Sequence, residues 1–249
     1  MFKVQPIFDY IISNILHADK NGHLILQASR NSYQTEMFMK RLKASLIDSF
    51  CRDIDDEANW NVASDILSRI HCISRVKSDR IGALLQRASV VLQPFPFAGS
   101  KTASDAIRPG VPPVTLPQAY LRSRLAQTFY TTMELHLVDP EVAASHCCVA
   151  SSVSDYVSKA LRLGLDKEYR HEVAGAILKR RHRIFDDEQT SYEWARFLTR
   201  ANGLVLSNEE LAIDMKYRPE SWQSEESLSK QILAEQRSWK KSKLLYAFE

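Results

Sequence analysis

Gly99, Ser100, Lys101, Thr102 and Asp105 are the residues whose types and spacing most plainly offer chemistry. Two hydroxyls and one lysine stand at a turn that ends in Thr102, with a carboxylate three residues further on. Backbone N–H groups at a helix start, flanked by hydroxyls and a cation, suit a phosphate. The same residue types also open helices for local reasons, because hydroxyl and acidic side chains are favoured there. Their surroundings favour the ligand reading.

Those surroundings run from Val90 to Pro117. Val90-Val91-Leu92 reads as a buried strand, Gln93 to Thr102 as a small-residue turn, and Thr102 to Arg108 as a short helix. Gly110 fits the position just past a helix end, with Pro112 after it. Val114-Thr115-Leu116 then reads as a second buried strand. This is one strand–helix–strand unit, and its turn lies at the carboxyl end of a strand, where such folds bind ligands.

The same alternation runs along the chain. Ile7, Phe8, Ile11, Ile12, Ile15 and Leu16 recur at helical spacing, and Asn21-Gly22 stops that helix. His23 to Ala28 and Ile70 to Ile73 read as buried strands. Met37, Phe38, Leu42 and Leu46 mark a helix from about Ser32 to Ile47. Arg52 to Ser64 is polar and acidic and reads as a loop or irregular insertion. Ile81, Leu84, Leu85 and Ala88 form a short helix, and Leu121 to Thr132 another. Cys147 to Ala150 reads as a last short strand. Ser152 and Asp155 match capping-box spacing and open a helix to about Leu163. Asp166 caps the next, and a further helix spans about Ser191 to Thr199. Strands alternating with helices predict the α/β class, a Rossmann-like parallel sheet flanked by helices. Residues 1–203 form that lobe; residues 204–249 are polar and read as a partly helical tail.

Bulk composition excludes little but says something. The chain has 249 residues, and 33 basic against 30 acidic residues leave a net charge of +3. That balance gives no electrostatic footprint for nucleic acid. Lys179-Arg180-Arg181-His182-Arg183 closes a helix, where cations are favoured. No apolar run approaches the ~20 residues needed to span a bilayer. The four cysteines show no CxxC spacing, and Cys147 and Cys148 on a strand would point to opposite faces and pair poorly. A reduced intracellular compartment, cytoplasmic or nucleocytoplasmic, is the expectation. The histidines show no metal spacing, and Asp53-Ile54-Asp55 reads as a solvated acidic loop.

Val90 to Leu116 resembles the donor-binding lobe of the O-linked N-acetylglucosamine transferase and Spindly type of glycosyltransferase. The shared pattern is a strand, a Pro-Phe-Pro, a small-residue turn with Thr102, an acid at Asp105, then Gly110-Val111-Pro112-Pro113-Val114-Thr115-Leu116-Pro117. Cys148 to Val157, Ala160 to Gly164, Arg183 to Asp186 and Glu193 to Leu198 resemble later segments of the same lobe. Phe2-Lys3-Val4-Gln5-Pro6 resembles the segment that brings a lysine to the donor diphosphate. The likeness covers roughly residues 2 to 202.

The resemblance implies the C-terminal half of a two-lobe, GT-B glycosyltransferase. It implies a UDP-sugar as donor substrate, with N-acetylglucosamine the sugar, and neither metal nor other cofactor. Lys3 would be the catalytic cation. Thr102, with Gly99, Ser100 and Lys101, would hold the diphosphate, and Asp105 the ribose hydroxyls. Lys77 and Arg80 occupy the loop that approaches the uracil in the family. The partners implied are the UDP-sugar and, given a first lobe, an acceptor protein with a Ser or Thr hydroxyl; neither nucleic acid nor membrane is expected. The chain begins where the family's second lobe begins, so the acceptor lobe is expected to be absent.

Three positions depart from the family pattern. Lys101 stands for one of two threonines, Gln93 for a frequent aspartate, and no histidine accompanies Lys77 and Arg80. These departures, and the lack of an assigned general base, support a second reading: a non-catalytic interaction protein that kept the fold.

Overall fold

The computed structural model describes residues 3–50, 57–135, 140, 143–185 and 187–201. It divides into one unit of residues 1–186 and a second of residues 187–249. In the second unit the described part is helix α11 (Glu188–Ala201), which covers the expected 191–199 helix and extends it at both ends. The expected tail 204–249 and the Asp53-Ile54-Asp55 loop lie outside the described residues.

The first unit opens with α1 (Pro6–Ala18). Proline at its first turn needs no N–H partner and presets the backbone for a helix. Phe8, Ile11, Ile12 and Leu16 line its buried face. Strand β1 (Leu24–Gln27) follows, then α2 (Ser32–Phe50), α3 (Glu57–Ser68) and β2 (Ile70–Ile73). The strands pair in parallel, with Leu24 opposite Ile70 and Gln27 opposite Ile73, and the two helices form the crossover between them.

Next come α4 (Ser78–Leu85), β3 (Val91–Leu92), α5 (Ser100–Ile107) and β4 (Pro113–Val114). Strands β3 and β4 are also parallel. A bridge from Thr115 to Val149 adds a third chain segment beside β4. A 3-10 turn (Leu121–Ser123) precedes α6 (Leu125–Thr132) and the single turn α7 (Ala144–Cys147). Helices α8 (Val153–Leu165), α9 (Lys167–Arg180) and α10 (His182–Phe185) complete the unit. The two caps read from the sequence are present. Ser152 Oγ accepts the Asp155 N–H at 3.1 Å, and Asp166 Oδ1 accepts the Tyr169 N–H at 2.9 Å.

Several expectations are corrected. Arg52 to Ser64 is not a loop throughout, since α3 occupies it from Glu57; its Ala63 and Ile66 are buried while Asn61, Ser64, Asp65 and Ser68 are exposed. Strand β1 is not buried on both sides: Ile25 is half exposed. The 121–132 helix is interrupted at Arg124. Cys147 closes a helical turn, so the strand alternation that would separate it from Cys148 does not hold, and the two sulfurs are bonded to each other. Instead of one continuous Rossmann sheet, the described residues form two parallel pairs of strands of two to four residues. Strands this short bury too little to bind into one sheet, and the helices supply most of the core. The α/β class itself stands.

Candidate functional site

Backbone pairing fixes the base of the turn. The Gln93 N–H donates to the Val114 carbonyl at 3.0 Å, prolonging the β3–β4 ladder by one residue. The Tyr156 hydroxyl, wholly buried, donates to the Gln93 carbonyl at 3.2 Å. Burial pushes that hydroxyl well above its ordinary pKa, and it stays a neutral donor. Tyr130 does the same for β4, donating to the Pro113 carbonyl at 2.9 Å. Its hydroxyl is likewise pushed up by burial. Two buried phenols thus each donate to a backbone carbonyl at the base of the turn.

The turn folds around Gln93. Its side chain is 1% exposed, and its Oε1 accepts the Gly99 N–H at 2.8 Å. The amide Nε2 has no partner among the described residues. Gly99 caps α5 without a side-chain hydrogen bond, which leaves the helix's first N–H groups unsatisfied within it. A Cβ on Gly99 would lie 3.0 Å from Thr102 Oγ1 and 3.2 Å from its Cβ, so glycine lets that hydroxyl fold back over the helix start.

Lys3 joins this turn. Its Nζ sits 4.1 Å from the centre of the Phe97 ring, within reach of the ring's negative face. The main chain around it is held from α2: Arg41 donates to the Val4 carbonyl at 3.0 Å and grips the buried Asp9 carboxylate with two hydrogen bonds, at 2.7 and 2.9 Å. Phe8, Phe95 and Tyr156 meet edge-on, each pair of ring centres 6.0 Å apart. That cluster joins α1, the turn and α8.

The structure brings Lys3 to Phe97 of the turn and, separately, Gly99 against Thr102, with Ser100 exposed on the first helical turn. Lys101 and Asp105 meet each other: Lys101 Nζ donates to Asp105 Oδ1 at 3.0 Å, an ion pair one turn apart on the outer face of α5. Lys77 is the residue before α4, and its carbonyl accepts the Arg80 N–H at 3.0 Å. Helix α4 packs beside α5, but no hydrogen bond or ion pair ties the Lys77 or Arg80 side chain to the turn among the described residues. Sequence reasoning did not single out Asp9, Arg41 or Arg122, whose relation to the turn is tertiary. Among the described residues no three metal-ligating side chains cluster, and no helix is long and apolar enough to cross a membrane.

Short parallel strands under helices, with a small-residue turn leading into α5, define an α/β arrangement. Among solved structures the chain is similar to a mutant of Thermobaculum terrenum O-GlcNAc transferase, with a TM-score of 0.55 and 19% identity. The match covers 71% of this chain and 29% of that one. No family model and no curated protein matches.

Proposed function

We propose that the turn between β3 and α5 binds the diphosphate of a UDP-sugar, as the donor-binding lobe of a protein O-glycosyltransferase does. The contact of the Lys3 ammonium with Phe97, a residue of the turn that leads into the open start of α5, supports this reading. The donor would be UDP-N-acetylglucosamine and the acceptor a Ser or Thr hydroxyl of a protein. Thr102 and the first N–H groups of α5 would meet the phosphates. Lys3 would offset the charge that grows on UDP as the bond between sugar and β-phosphate breaks. Asp105 would take the ribose hydroxyls after releasing Lys101; an exposed ion pair is worth only about 0–1 kcal/mol, so release is inexpensive. Lys77 and Arg80 would border the base. No metal or other cofactor is needed for these roles, and the compartment would be cytoplasmic or nucleocytoplasmic.

Calorimetry of the full chain with UDP and uridine at fixed salt tests this. UDP should bind more tightly than uridine. Lys3→Ala should weaken UDP about ten- to hundredfold, the worth of a charged hydrogen bond of about 1.5–3 kcal/mol, and leave uridine unchanged. Asp105→Ala should weaken both alike. The Lys101–Asp105 ion pair favours the alternative, an interaction protein that kept the fold. Absence of UDP binding at millimolar ligand selects that alternative.

A further inference from the structure

We infer that Arg122 is a second cation for the diphosphate, a role that rests on the nucleotide reading above. Arg122 follows β4 in the 3-10 turn, and its guanidinium lies 5.6 Å from the Phe97 ring centre and 5.0 Å from that of Tyr120. Its own carbonyl accepts the Ala98 N–H at 3.1 Å, which ties its backbone to the turn. Lys3 uses the same Phe97 ring at 4.1 Å. Two cations on one ring are at most about 10 Å apart and repel one another. Neither has an ion-pair partner among the described residues. An anion between them would relieve that repulsion and gain both attractions. The open N–H groups of α5 and the unpartnered, fully buried amide of Gln93 lie in the same turn.

Lys101 is the less suited of the two candidates. Its ammonium points along α5 to Asp105, and its side chain is 76% exposed. Arg122 is ordered by two aromatic rings and presents a planar fork of donors that matches phosphate geometry. Its ring contacts account for its stem and plane, yet they leave its charge without a counter-ion. The ligand class this implies is a nucleoside diphosphate, with the β-phosphate as the group that Lys3 and Arg122 share.

The test compares full-length wild type with Arg122→Gln and Arg122→Lys by calorimetry, with UDP, UMP and uridine as probes. Arg122→Gln should weaken UDP at least tenfold, weaken UMP less and leave uridine unchanged. Arg122→Lys should recover part of the loss. The salt dependence of UDP binding should be shallower in Arg122→Gln. Unchanged UDP affinity in Arg122→Gln, or an equal loss for uridine, overturns the inference while the turn remains the nucleotide site. Failure of the wild type to bind UDP overturns the underlying reading instead.

Discussion

Truncating Arg41 should damage this protein far more than neutralising its partner Asp9. The Asp9 side chain is 1% exposed and that of Arg41 is 36% exposed. Arg41→Ala strands a carboxylate in the core and frees the Val4 carbonyl as well. Removing one partner of a buried ion pair costs about 3–5 kcal/mol. For a chain of this size each kcal/mol moves the melting temperature by roughly 2–4 °C, so the expected loss is about 6–20 °C. Asp9→Asn keeps the shape and leaves a guanidinium that already reaches water. Its cost should be about 1–3 kcal/mol, the range for an unsatisfied hydrogen-bonding group. Urea titrations with unchanged slope give both values directly. Arg41→Lys, which keeps the charge but not the fork, should fall between the two. Arg41→Lys should also weaken UDP, because the Val4 carbonyl loses its Arg41 hydrogen bond and Lys3 moves with it. Equal costs for Arg41→Ala and Asp9→Asn, or a larger cost for Asp9→Asn, would refute the assignment of burial and pairing.

Three further outcomes are expected. Gly110 has φ +91°, and a Cβ there would approach Leu178 Cγ to 2.8 Å; Gly110→Ala should cost about 1–3 kcal/mol in denaturant titrations. Burial raises the Asp155 carboxyl, but hydrogen bonds from Lys159 and from the N–H and hydroxyl of Ser151, with the Lys159 charge, outweigh it and hold the group below the ordinary aspartate pKa. A depressed folded-state pKa stabilises above the unfolded value and is lost as pH falls through the folded one. Wild-type stability should therefore decline below about pH 4, and the decline should be shallower in Asp155→Asn by thermal melts across pH. Ser152→Ala should cost about 1 kcal/mol through loss of the α8 cap, measurable by the same titrations.

Local signals were legible where one face or one cap decides the structure. The α1 stripe, the Ser152 and Asp166 caps and the Gly110 stop are all set within one or two turns of chain. The first strand pair was legible as strands but not as half-exposed ones, since Leu24, Ile25 and Leu26 are all apolar and only packing separates Ile25 from its neighbours. Helix α3 was hidden because its polar residues outnumber the few that pack, and Ala63 and Ile66 give a weak stripe. The bond between Cys147 and Cys148 was misread because it depends on a helical turn that a four-residue apolar run does not reveal. Of the site, the turn was legible from composition and spacing. The Lys101–Asp105 pair was written in the sequence too, as residues one helical turn apart, and is the commonest fate of such charges. Arg122, Asp9 and Arg41 were not legible, because each reaches the site through a partner distant in sequence.

The aromatic cluster joins the elements that carry those distant partners. Phe8 comes from α1, Phe95 from the turn and Tyr156 from α8, and all three rings touch. Phe8 follows Lys3 by five residues, and Phe95 precedes Phe97, on which Lys3 rests. The Lys3–Phe97 contact is therefore flanked on both chain segments by a core contact. Tyr156 adds a polar constraint, because its hydroxyl holds the Gln93 carbonyl and Gln93 in turn holds the Gly99 N–H. Exposed side chains alone would lose most of a charge's value to water and to their own motion. Here Lys3 is held from behind by Val4 and Arg41, and from below by Phe97. Arg122 shares that ring from the other strand's turn. Preorganisation of this kind lowers the cost of binding an anion without any new contact to it. On the proposed reading, the core of this fold is part of the turn's binding of UDP.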